Sequence, residues 1–433
     1  MSAPSQNDII DSLTFPHIVG YVPVNGTGDT RYVLTYQFAT NSQPVDNLWD
    51  YNGWTAFTNA QKDVVRDALA KIETFLNIDF VEVTGDSDPN INFGLVTLQA
   101  GVAGEAGCVT PISGWDASVM YDRNETLLDA YGLHVVSHEI GHALGLDHTF
   151  EDMILDTNYD NNHYSIMSYT DDPITGGYLE YMGLYDILAL QSFFGAADYN
   201  TGDNSYSGPR TYETDVIWDT GGNDTFDASA IGHSVIIDLR EGHYSTFGLN
   251  EDVAIAFGVE IEGADGSAYD DRIMGNALDN TITGNAGNDR IIGRGGNDSM
   301  NGDGGRDIIH GRGGADTEQG GIGNDLLRGG GRDDTLHGGA GDDTLRGGKG
   351  DDLLYGDTGA DKFVFKGDKG HDTIADFQND IDTLKIVGHG NLSTVLAAAS
   401  DVGSDVVFDF GGGTMITVSN MTLADLQDDI TIA

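Results

Sequence analysis

The sequence predicts an α+β protein, with an N-terminal α/β domain followed by an all-β C-terminal domain built as a parallel β-roll of nonapeptide repeats. Two observations lead to this prediction. Up to about residue 196, stretches with strand-like alternation and stretches with helical periodicity follow one another. From Gly266 to Val364 the composition changes to glycine-rich nonapeptides that keep one register. The length of 433 residues accommodates two or three domains.

The elements of the first domain follow from side-chain periodicity. Alternating β-forming residues predict a strand at residues 30–40. Apolar residues at helical spacing predict an amphipathic helix from Asn59 to Leu76. Two short strands are predicted at 80–83 and 91–94, and a further helix is predicted around 184–194. Together these elements describe a mixed α/β domain.

A histidine motif of the form H-E-x-x-H-x-x-G-x-x-H predicts a zinc centre. On a helix, His138 and His142 lie one turn apart on the same face, so both imidazoles can reach one ion. Gly145 lets the backbone leave the helix, and the following turn returns His148 as the third ligand. Three protein ligands leave a fourth position for water, as in catalytic zinc sites, and Glu139 is then the expected general base. The alternative, a buried helix that carries histidines by chance, is disfavoured because the motif constrains five positions.

The segment Ser165–Tyr169 predicts a methionine-containing turn that completes this centre. It has the form of a Met-turn, and Met167 is expected to supply an apolar floor beneath the three histidines. The alternative for Met167 is ordinary core packing. Its place after the complete histidine motif favours the first interpretation.

Eleven contiguous nonapeptides from residue 266 to residue 364 match G-G-x-G-x-D-x-U-x, the calcium-binding β-roll repeat. The eighth-position aliphatic residues are expected to form a narrow core, and the sixth-position aspartates to supply hard oxygen ligands. These aspartates are Asp271, Asp289, Asp298, Asp307, Asp316, Asp325, Asp334, Asp343, Asp352 and Asp361.

Three repeat units depart from the pattern. Asn280 replaces the aspartate, Arg332 replaces the fourth-position glycine, and Glu318 replaces the core aliphatic residue. We expect calcium binding to be weakened or missing near these positions. The alternative for the whole region, a disordered linker rich in glycine and aspartate, is credible only without calcium.

Charge and cysteine content limit the possible partners. The formal net charge is −50, and residues 1–265 alone contain 41 acidic and 7 basic residues. Such a surface argues against nucleic acid and anionic membranes as partners. No stretch is apolar enough for a membrane span, and the first twenty residues lack the features of a Sec-type signal peptide. The single cysteine, Cys108, excludes an intrachain disulfide; we expect a small buried hydrophobe, with an inhibitory zinc ligand as the alternative.

The histidine motif, the Met-turn and the repeats together resemble the serralysins, the RTX-type zinc metalloproteases of the metzincin clan. The resemblance implies a metzincin-like zinc protease domain followed by a calcium-binding roll. It divides the chain into a propeptide or N-terminal arm (1–14), a catalytic domain (15–196), a linking β segment with calcium sites (197–265), the roll (266–364) and a C-terminal β cap with a type I secretion signal (365–433).

The same resemblance implies further ligands. Tyr169 would be an additional zinc ligand that leaves the metal when substrate binds and then stabilises the oxyanion. Between the domains, the implied calcium ligands are Asn200, Gly202, Asn204, Asp219 and Gly221 for one site and Gly222, Asp224, Glu260 and Glu262 for another. In the roll, backbone carbonyls would join the aspartates as ligands, from Gly284, Ala286, Gly287, Gly296, Gly305, Gly314, Gly323, Gly341 and Gly350.

The resemblance implies a secreted, calcium-stabilised zinc endopeptidase that hydrolyses extended protein substrates with broad specificity. Zinc and calcium are the expected cofactors. The expected partners are protein substrates, a type I exporter and a proteinaceous inhibitor, and the enzyme itself is expected to be a monomer. The strand at Ile91–Phe93 is expected to be the sheet edge that pairs with substrate. Two other classes stay open: a calcium-binding adhesin with a vestigial zinc site, and a zinc hydrolase that acts on a non-peptide amide or ester.

Overall fold

The computed structural model describes residues 4–14, 31–44, 49–86, 88–109, 115–149, 158–174, 176–207, 215–248, 253–367 and 369–433. These residues form two compact units. The first comprises residues 1–201, 210–221 and 250–259, and the second comprises residues 202–209, 222–249 and 260–433. Among the described helices, none combines the length and the hydrophobicity needed to cross a bilayer.

The helices and strands are numbered along the chain. The helices are α1 (Gln6–Leu13), α2 (Asn59–Phe75), α3 (Ala130–Ala143), α4 (Leu184–Phe194), α5 (Leu392–Ala397) and α6 (Leu423–Leu426). The strands are β1 (Tyr32–Phe38), β2 (Asn52–Thr55), β3 (Ile78–Glu82), β4 (Ile91–Thr97), β5 (Gly104–Val109), β6 (Asp116–Asp122), β7 (Ser205–Tyr206), β8 (Asp215–Ile217), β9 (Thr225–Asp227), β10 (Ile236–Asp238), β11 (Tyr244–Ser245), β12 (Val253–Ile255), β13 (Gly263–Asp265), β14 (Arg272–Met274), β15 (Thr281–Thr283), β16 (Arg290–Gly295), β17 (Ser299–Asn301), β18 (Ile308–Gly313), β19 (Thr317–Ile322), β20 (Leu326–Gly331), β21 (Thr335–Ala340), β22 (Thr344–Lys349), β23 (Leu353–Thr358), β24 (Lys362–Phe365), β25 (Gly370–Ile374), β26 (Thr383–Ile386), β27 (Ala399–Val402), β28 (Asp405–Gly411), β29 (Thr414–Val418) and β30 (Ile430–Ile432).

The central sheet of the first unit has the order β3-β1-β4-β6-β5, with β2 paired to β4. Strands β3, β1, β4 and β6 are parallel, and β5 runs antiparallel to β6. The prediction that the strand at Ile91–Phe93 forms the sheet edge is wrong, because β4 lies between β1 and β6 and is buried from Ile91 to Val96. The edge next to β6 is β5, which turns back along β6 with Gly104 opposite Tyr121.

Helix α2 is specified by its sequence. Thr58 and Gln61 form a capping box at its N-terminus. Its buried residues recur at helical spacing and face the core: Val65, Ala68, Leu69, Ile72 and Phe75. This confirms the predicted amphipathic helix, which ends one residue before the predicted boundary.

Helix α1 lies in the segment interpreted from the sequence as a propeptide or N-terminal arm. Its side chains Ile9 and Leu13 are buried, and its neighbour Thr14 forms an antiparallel bridge with Leu146. The amide of Asp147 donates to the carbonyl of Leu13 at 2.8 Å. The segment therefore packs within the first unit beside the histidine motif, and its interpretation as a propeptide stays a prediction.

In the repeat region, successive nonapeptides place their strands alternately in two parallel sheets. Each strand pairs with the strand two units on, as in Ile291 opposite Ile309 in one sheet and Met300 opposite Glu318 in the other. The first is a nine-stranded sheet, β10-β14-β16-β18-β20-β22-β24-β26-β30. The second contains β25-β23-β21-β19-β17-β15-β13-β9 within twelve strands. The eighth-position side chains are buried, as their aliphatic pattern predicts.

Glu318 is the exception in this core. Its carboxyl group is fully buried between Met300 and Leu336, its neighbours along the ladder. Oε1 accepts the amide of Gly311 at 2.7 Å, and Oε2 has no hydrogen-bond partner among the described residues. Burial raises the pKa of Glu318 well above its ordinary value, which favours the protonated form of this carboxyl group in the folded chain.

We predict that Glu318→Gln stabilises the calcium-bound protein at neutral pH. The unfolded chain releases the Glu318 proton near its ordinary pKa of about 4.3, whereas the folded chain keeps it, so stability falls as pH rises above that value. Glutamine keeps the acceptor for Gly311 and cannot ionise, so we expect a gain of up to about 3 kcal/mol near pH 7 and little gain near pH 4.

Thermal melting of both proteins across this pH range, at fixed calcium, measures the difference. Glu125→Gln is the control because Glu125 is exposed, and it should leave the melting temperature unchanged. A loss of stability in Glu318→Gln at neutral pH would show that the buried carboxylate is needed.

Candidate metal centre

Helix α3 positions the first two histidines of the motif. Asp129 caps its N-terminus by accepting the amide of Gly132 at 2.9 Å. The helix ends at Ala143, and Gly145 follows with φ of 104°, a left-handed conformation that side chains resist. The chain can therefore turn immediately after the helix, as the sequence predicts, and bring His148 back to the other two histidines.

The three imidazoles converge. One ligand atom from each of His138, His142 and His148 lies within 4.8 Å of the others. The Nε2 atoms of His142 and His148 are 3.0 Å apart, a distance that suits two ligands of one ion. This donor set, with three imidazoles and no fourth His, Cys, Asp or Glu in the described cluster, fits a zinc ion that keeps an open position.

Backbone carbonyls orient two of these rings. Nδ1 of His138 lies 2.8 Å from the carbonyl oxygen of Ile166, and Nδ1 of His142 lies 2.8 Å from that of Leu146. A neutral imidazole that donates through Nδ1 keeps its Nε2 lone pair free for a metal. Burial lowers the pKa of His138 well below its usual value, which favours this neutral form.

Glu139 is buried next to the histidines. Its Oε2 has no hydrogen-bond partner among the described residues. Burial, with a smaller contribution from the negative charge of Glu105 on β5, raises the pKa of Glu139 to about 8. A Cβ atom added to Gly104 would lie 2.6 Å from Cγ of Glu139, so the edge strand β5 passes directly over this carboxyl group.

The Met-turn lies where the sequence places it. Met167 is fully buried, and its Sδ would be 2.9 Å from a Cβ atom added to Gly141 of α3. Tyr169 is 68% exposed, with its ring centroid 4.7 Å from that of His148 and 5.7 Å from that of His138. The tyrosine therefore borders the histidine cluster, and its role as a zinc ligand stays a prediction.

Asp186 is a supporting residue that the sequence analysis missed. It is fully buried on α4 and accepts three hydrogen bonds, from the Ser165 hydroxyl at 2.6 Å and from the amides of Ile166 and Gly183 at 2.7 Å each. It thereby holds the backbone of Ile166, the residue whose carbonyl orients His138. The available signal was a lone charged residue within the apolar run Leu184–Leu190.

Two further residues with metal-binding side chains, His134 and Cys108, are not part of the cluster. His134 shares a helix with His138, but its Nδ1 lies 2.7 Å from the carbonyl oxygen of Leu179. Cys108 is buried on β5, and burial raises the pKa of its thiol to about 12. The thiol therefore behaves as a small buried group, in agreement with the preferred interpretation of its sequence context.

The repeat aspartates share one hydrogen-bonding pattern. In most units, the Oδ1 atom of the aspartate accepts a hydrogen bond from the backbone amide of the residue 18 positions earlier. For example, Oδ1 of Asp325 accepts the amide of Asp307 at 2.7 Å. The Oδ2 atom is buried and has no hydrogen-bond partner among the described residues in nine of the repeat aspartates: Asp289, Asp298, Asp307, Asp316, Asp325, Asp334, Asp343, Asp352 and Asp361.

These orphaned oxygens fit calcium. Oδ2 of Asp289 would lie 2.5 Å from a Cβ atom added to Gly284, so glycine keeps the space beside the carboxylate open. Burial raises the pKa of Asp289 to about 7, and a bound dication would favour the ionised form instead. Hard oxygen ligands from carboxylates and nearby carbonyls are those that calcium prefers.

Two sixth-position residues differ. Asp271 has donors on both oxygens, from the Ser267 amide and hydroxyl and from the Val235 amide. Asn280 accepts the amide of Asn276 at 2.9 Å and donates to the carbonyl of Glu262. Both side chains are satisfied by protein groups, which supports the expectation of weakened calcium binding near Asn280 and extends it to Asp271.

Some of the ligands predicted between the domains come together within the second unit. The Asp224 amide donates to Glu262 at 2.8 Å, and the Asn204 amide donates to Asp224 at 2.8 Å. A Cβ atom on Gly222 would lie 2.5 Å from the carbonyl oxygen of Gly202. Glu260 is exposed.

The remaining predicted ligands of this set belong to the first unit. There the Asp219 carboxylate is buried and accepts the amide of Gly221 at 2.9 Å. Asn200 adopts φ of 51°. As calcium ligands, both sets stay predictions.

Comparison with known protein families agrees with this geometry. Residues 48–177 match the family described as Matrixin, which covers β2 to the Met-turn. Residues 265–300, 293–327 and 328–363 match the RTX calcium-binding nonapeptide repeat. The chain carries a matrixin domain and RTX repeats.

Three relatives illustrate the similarity. Serralysin from Photorhabdus laumondii is 32% identical over 284 residues, which are 56% of this chain and 58% of that protein. Serralysin B from Dickeya chrysanthemi is 33% identical over 287 residues, again 56% and 58%. Serralysin from Proteus mirabilis is 36% identical over 306 residues, 58% and 62%. The chain thus spans about three fifths of the length of these curated relatives, and the predicted resemblance to serralysins is confirmed.

We predict that Asp186 holds the matrixin domain's metal centre in shape. Asp186→Ala leaves three buried donors without an acceptor, which should lower the stability of the domain by several kcal/mol, at about 1–3 kcal/mol per donor. Zinc affinity should fall by about 10- to 100-fold, as for other residues that orient ligands.

Asp186→Asn keeps one acceptor, so its stability and zinc affinity should lie between those of the wild-type protein and those of Asp186→Ala. Asp198→Ala, at an exposed aspartate, is the matched control and should change neither quantity. Zinc affinity measured by competition with a chelator, below the melting temperature of every variant, tests the prediction. An unchanged affinity in folded Asp186→Ala would contradict it.

Proposed function

We propose that the protein is a zinc metalloendopeptidase stabilised by calcium. The observation that supports this most strongly is the joint placement of three convergent imidazoles, a buried carboxyl group and a sheet edge. Glu139 lies beside His138 in sequence and directly beneath Gly104 of β5 in space. The serralysin relatives support the same activity.

A zinc ion held by the three histidines would supply a Lewis acid that polarises a carbonyl and lowers the pKa of water to about 7. The protein's own residues do the rest. Oε2 of Glu139 lacks a partner among the described residues, and the charge of a zinc ion in the site would favour the ionised form of this carboxyl group. Glu139 then accepts a proton from the attacking water and returns it to the leaving amine. The Tyr169 hydroxyl donates a hydrogen bond to the developing oxyanion.

The edge strand supplies a place for substrate. Among the described strands, β5 pairs with β6 alone, so its outer edge can pair with an extended peptide. Backbone pairing of this kind recognises polypeptide without demanding particular side chains, which supports the proposal of broad specificity. It also favours peptide substrates over a small amide or ester.

We expect Glu139→Ala to abolish peptide cleavage while keeping zinc. The substitution removes the proton acceptor but leaves all three imidazoles in place. Product mapping by mass spectrometry on a mixed protein substrate, with zinc chelation and readdition as controls, measures cleavage, and metal analysis measures zinc. Full activity in this variant would refute the mechanism. Absence of zinc from the calcium-replete wild-type protein would instead favour a calcium-bound adhesin.

Tyr169→Phe in the same assays separates the role of the tyrosine. The variant should lose most of its kcat with a smaller change in KM, because the hydroxyl acts on the transition state. An increase in KM as large as the decrease in kcat would contradict a role in oxyanion stabilisation.

We further propose that the repeats form a calcium-loaded parallel β-roll and that the protein leaves the cell through a type I exporter. Without a cation, nine buried carboxylate oxygens have no partner, and the repeat region carries 18 acidic residues. At low cytosolic calcium such a region stays unfolded, whereas external calcium orders it.

Removing calcium should therefore unfold the repeat region. We expect a calcium-selective chelator to abolish hydrogen-exchange protection of the amides in β16–β24, and magnesium at the same concentration not to restore it. Asp343→Asn should raise the calcium concentration at half-saturation, whereas Asp67→Asn, at an exposed helical site, should not. Full protection in the chelated protein would contradict the proposal.

A further inference from the structure

The two sheets of the repeat region differ sharply in charge. Strands β14, β16, β18, β20, β22, β24 and β26 of the nine-stranded sheet contain no Asp or Glu. They carry nine of the chain's 20 Lys and Arg residues: Arg272, Arg290, Arg294, Arg312, Arg328, Arg346, Lys349, Lys362 and Lys385. The corresponding strands of the other sheet contain no Lys or Arg: β9, β13, β15, β17, β19, β21, β23 and β25. We call the outer side of the first set of strands the cationic face.

The register arranges these charges in rows along the repeat axis. Ile292, His310, Arg328 and Arg346 are partners on successive strands, and Arg294 is the partner of Arg312. Neighbouring strands lie about 4.8 Å apart, so the row from Ile292 on β16 to Arg346 on β22 extends for roughly 14 Å. Residues at these positions alternate with buried ones, which places their side chains on the outside of the sheet.

A cavity of about 300 Å³ opens on this face. Its lining contains four cationic side chains, Arg312, Arg328, Arg346 and Lys349, together with His310 and the glycines Gly329, Gly330, Gly347 and Gly348. Burial lowers the pKa of His310 to about 4, so this ring is neutral near pH 7. The lining includes no carboxylate and no Phe, Tyr or Trp. Arg312, Arg328 and Lys349 are exposed and form no salt bridge within the described part of the chain. The charges of these three side chains therefore have no salt-bridge partner among the described residues, in a chain of net charge −50.

We propose that the cationic face binds a linear anionic polysaccharide. Three pairs of its arginines, Arg272–Arg290, Arg294–Arg312 and Arg328–Arg346, are register partners on adjacent strands. Their spacing is therefore the strand spacing, which is comparable to the length of one sugar unit in an extended chain. Arginine matches carboxylate and sulfate groups with paired hydrogen bonds, and the intervening glycines let a polymer lie close to the sheet. The ligand chemistry is a regularly repeated carboxylate or sulfate.

Single-stranded nucleic acid is the less favoured polyanion. Proteins that bind it stack bases on aromatic side chains, and the cavity lining has no Phe, Tyr or Trp. The net charge of the whole chain does not forbid a local site, because at physiological salt the charges of other surfaces are screened beyond about 8 Å. The bulk acidity therefore describes most of the protein, but not this face.

The test uses the full-length, calcium-loaded protein. Binding of fluorescent heparin (sulfated), polygalacturonate (carboxylated), dextran (neutral) and oligothymidylate is measured by anisotropy at about 0.1 M sodium chloride, where the Debye length is about 10 Å. We expect both acidic polysaccharides to bind, more tightly than oligothymidylate, and dextran not to bind. Arg328→Gln/Arg346→Gln should weaken their binding by about tenfold, from the loss of two partly exposed ionic contacts.

A charge-matched variant separates a site from general attraction. Arg306→Gln/Arg332→Gln removes two exposed charges from turns of the same repeats, outside the strands of the cationic face, and should leave affinity within about twofold. Calcium-dependent melting confirms that each variant is folded. Equal weakening in both double variants, no polysaccharide binding, or tighter binding of oligothymidylate would overturn the proposal.

Discussion

Backbone groups hold the charged and metal-binding side chains of this protein in buried positions, and both of its metal-binding regions depend on this interaction. The carbonyls of Ile166 and Leu146 orient His138 and His142, and backbone amides hold one oxygen of each repeat aspartate. In each case the backbone forms a hydrogen bond with one polar atom of the side chain, and the second polar atom of the same side chain stays available for a metal ion. An imidazole Nε2 or a carboxylate Oδ2 without a protein partner is costly when buried, and a cation removes that cost.

The two regions achieve this by different means. The zinc centre joins residues from α3, the turn after it and the Met-turn, with Asp186 on α4 fixing the last of these. Every contact there is made once, so losing one affects the whole centre. The repeats form the same amide-to-carboxylate hydrogen bond again and again, each time between residues 18 positions apart. A single departure such as Asn280 therefore affects one unit, where its side chain forms hydrogen bonds of its own. This tolerance follows from the nearest-neighbour character of stacked repeats.

Alternation between the two sheets also sorts charge. Because successive units face opposite sides, residues at the same position of alternate units share a face, and a preference for arginine in every second unit produces rows. The sequence shows ten basic residues in the repeats, which appear evenly spread along the chain. Only the fold places eight of these ten residues on the strands of one sheet.

The sequence alone determined the histidine motif, its glycine exit, the Met-turn, the repeat register and helices α2 and α4, because each depends on spacing within a short segment. Tertiary structure decided the rest. It placed β4 inside the sheet and β5 at the edge, since strand order depends on which distant strands pair. It packed α1 beside Leu146 and buried Asp186 under the Met-turn, contacts between segments that no local pattern connects. Residue spacing specifies ligands, whereas the long-range packing of backbone against side chain decides what holds them.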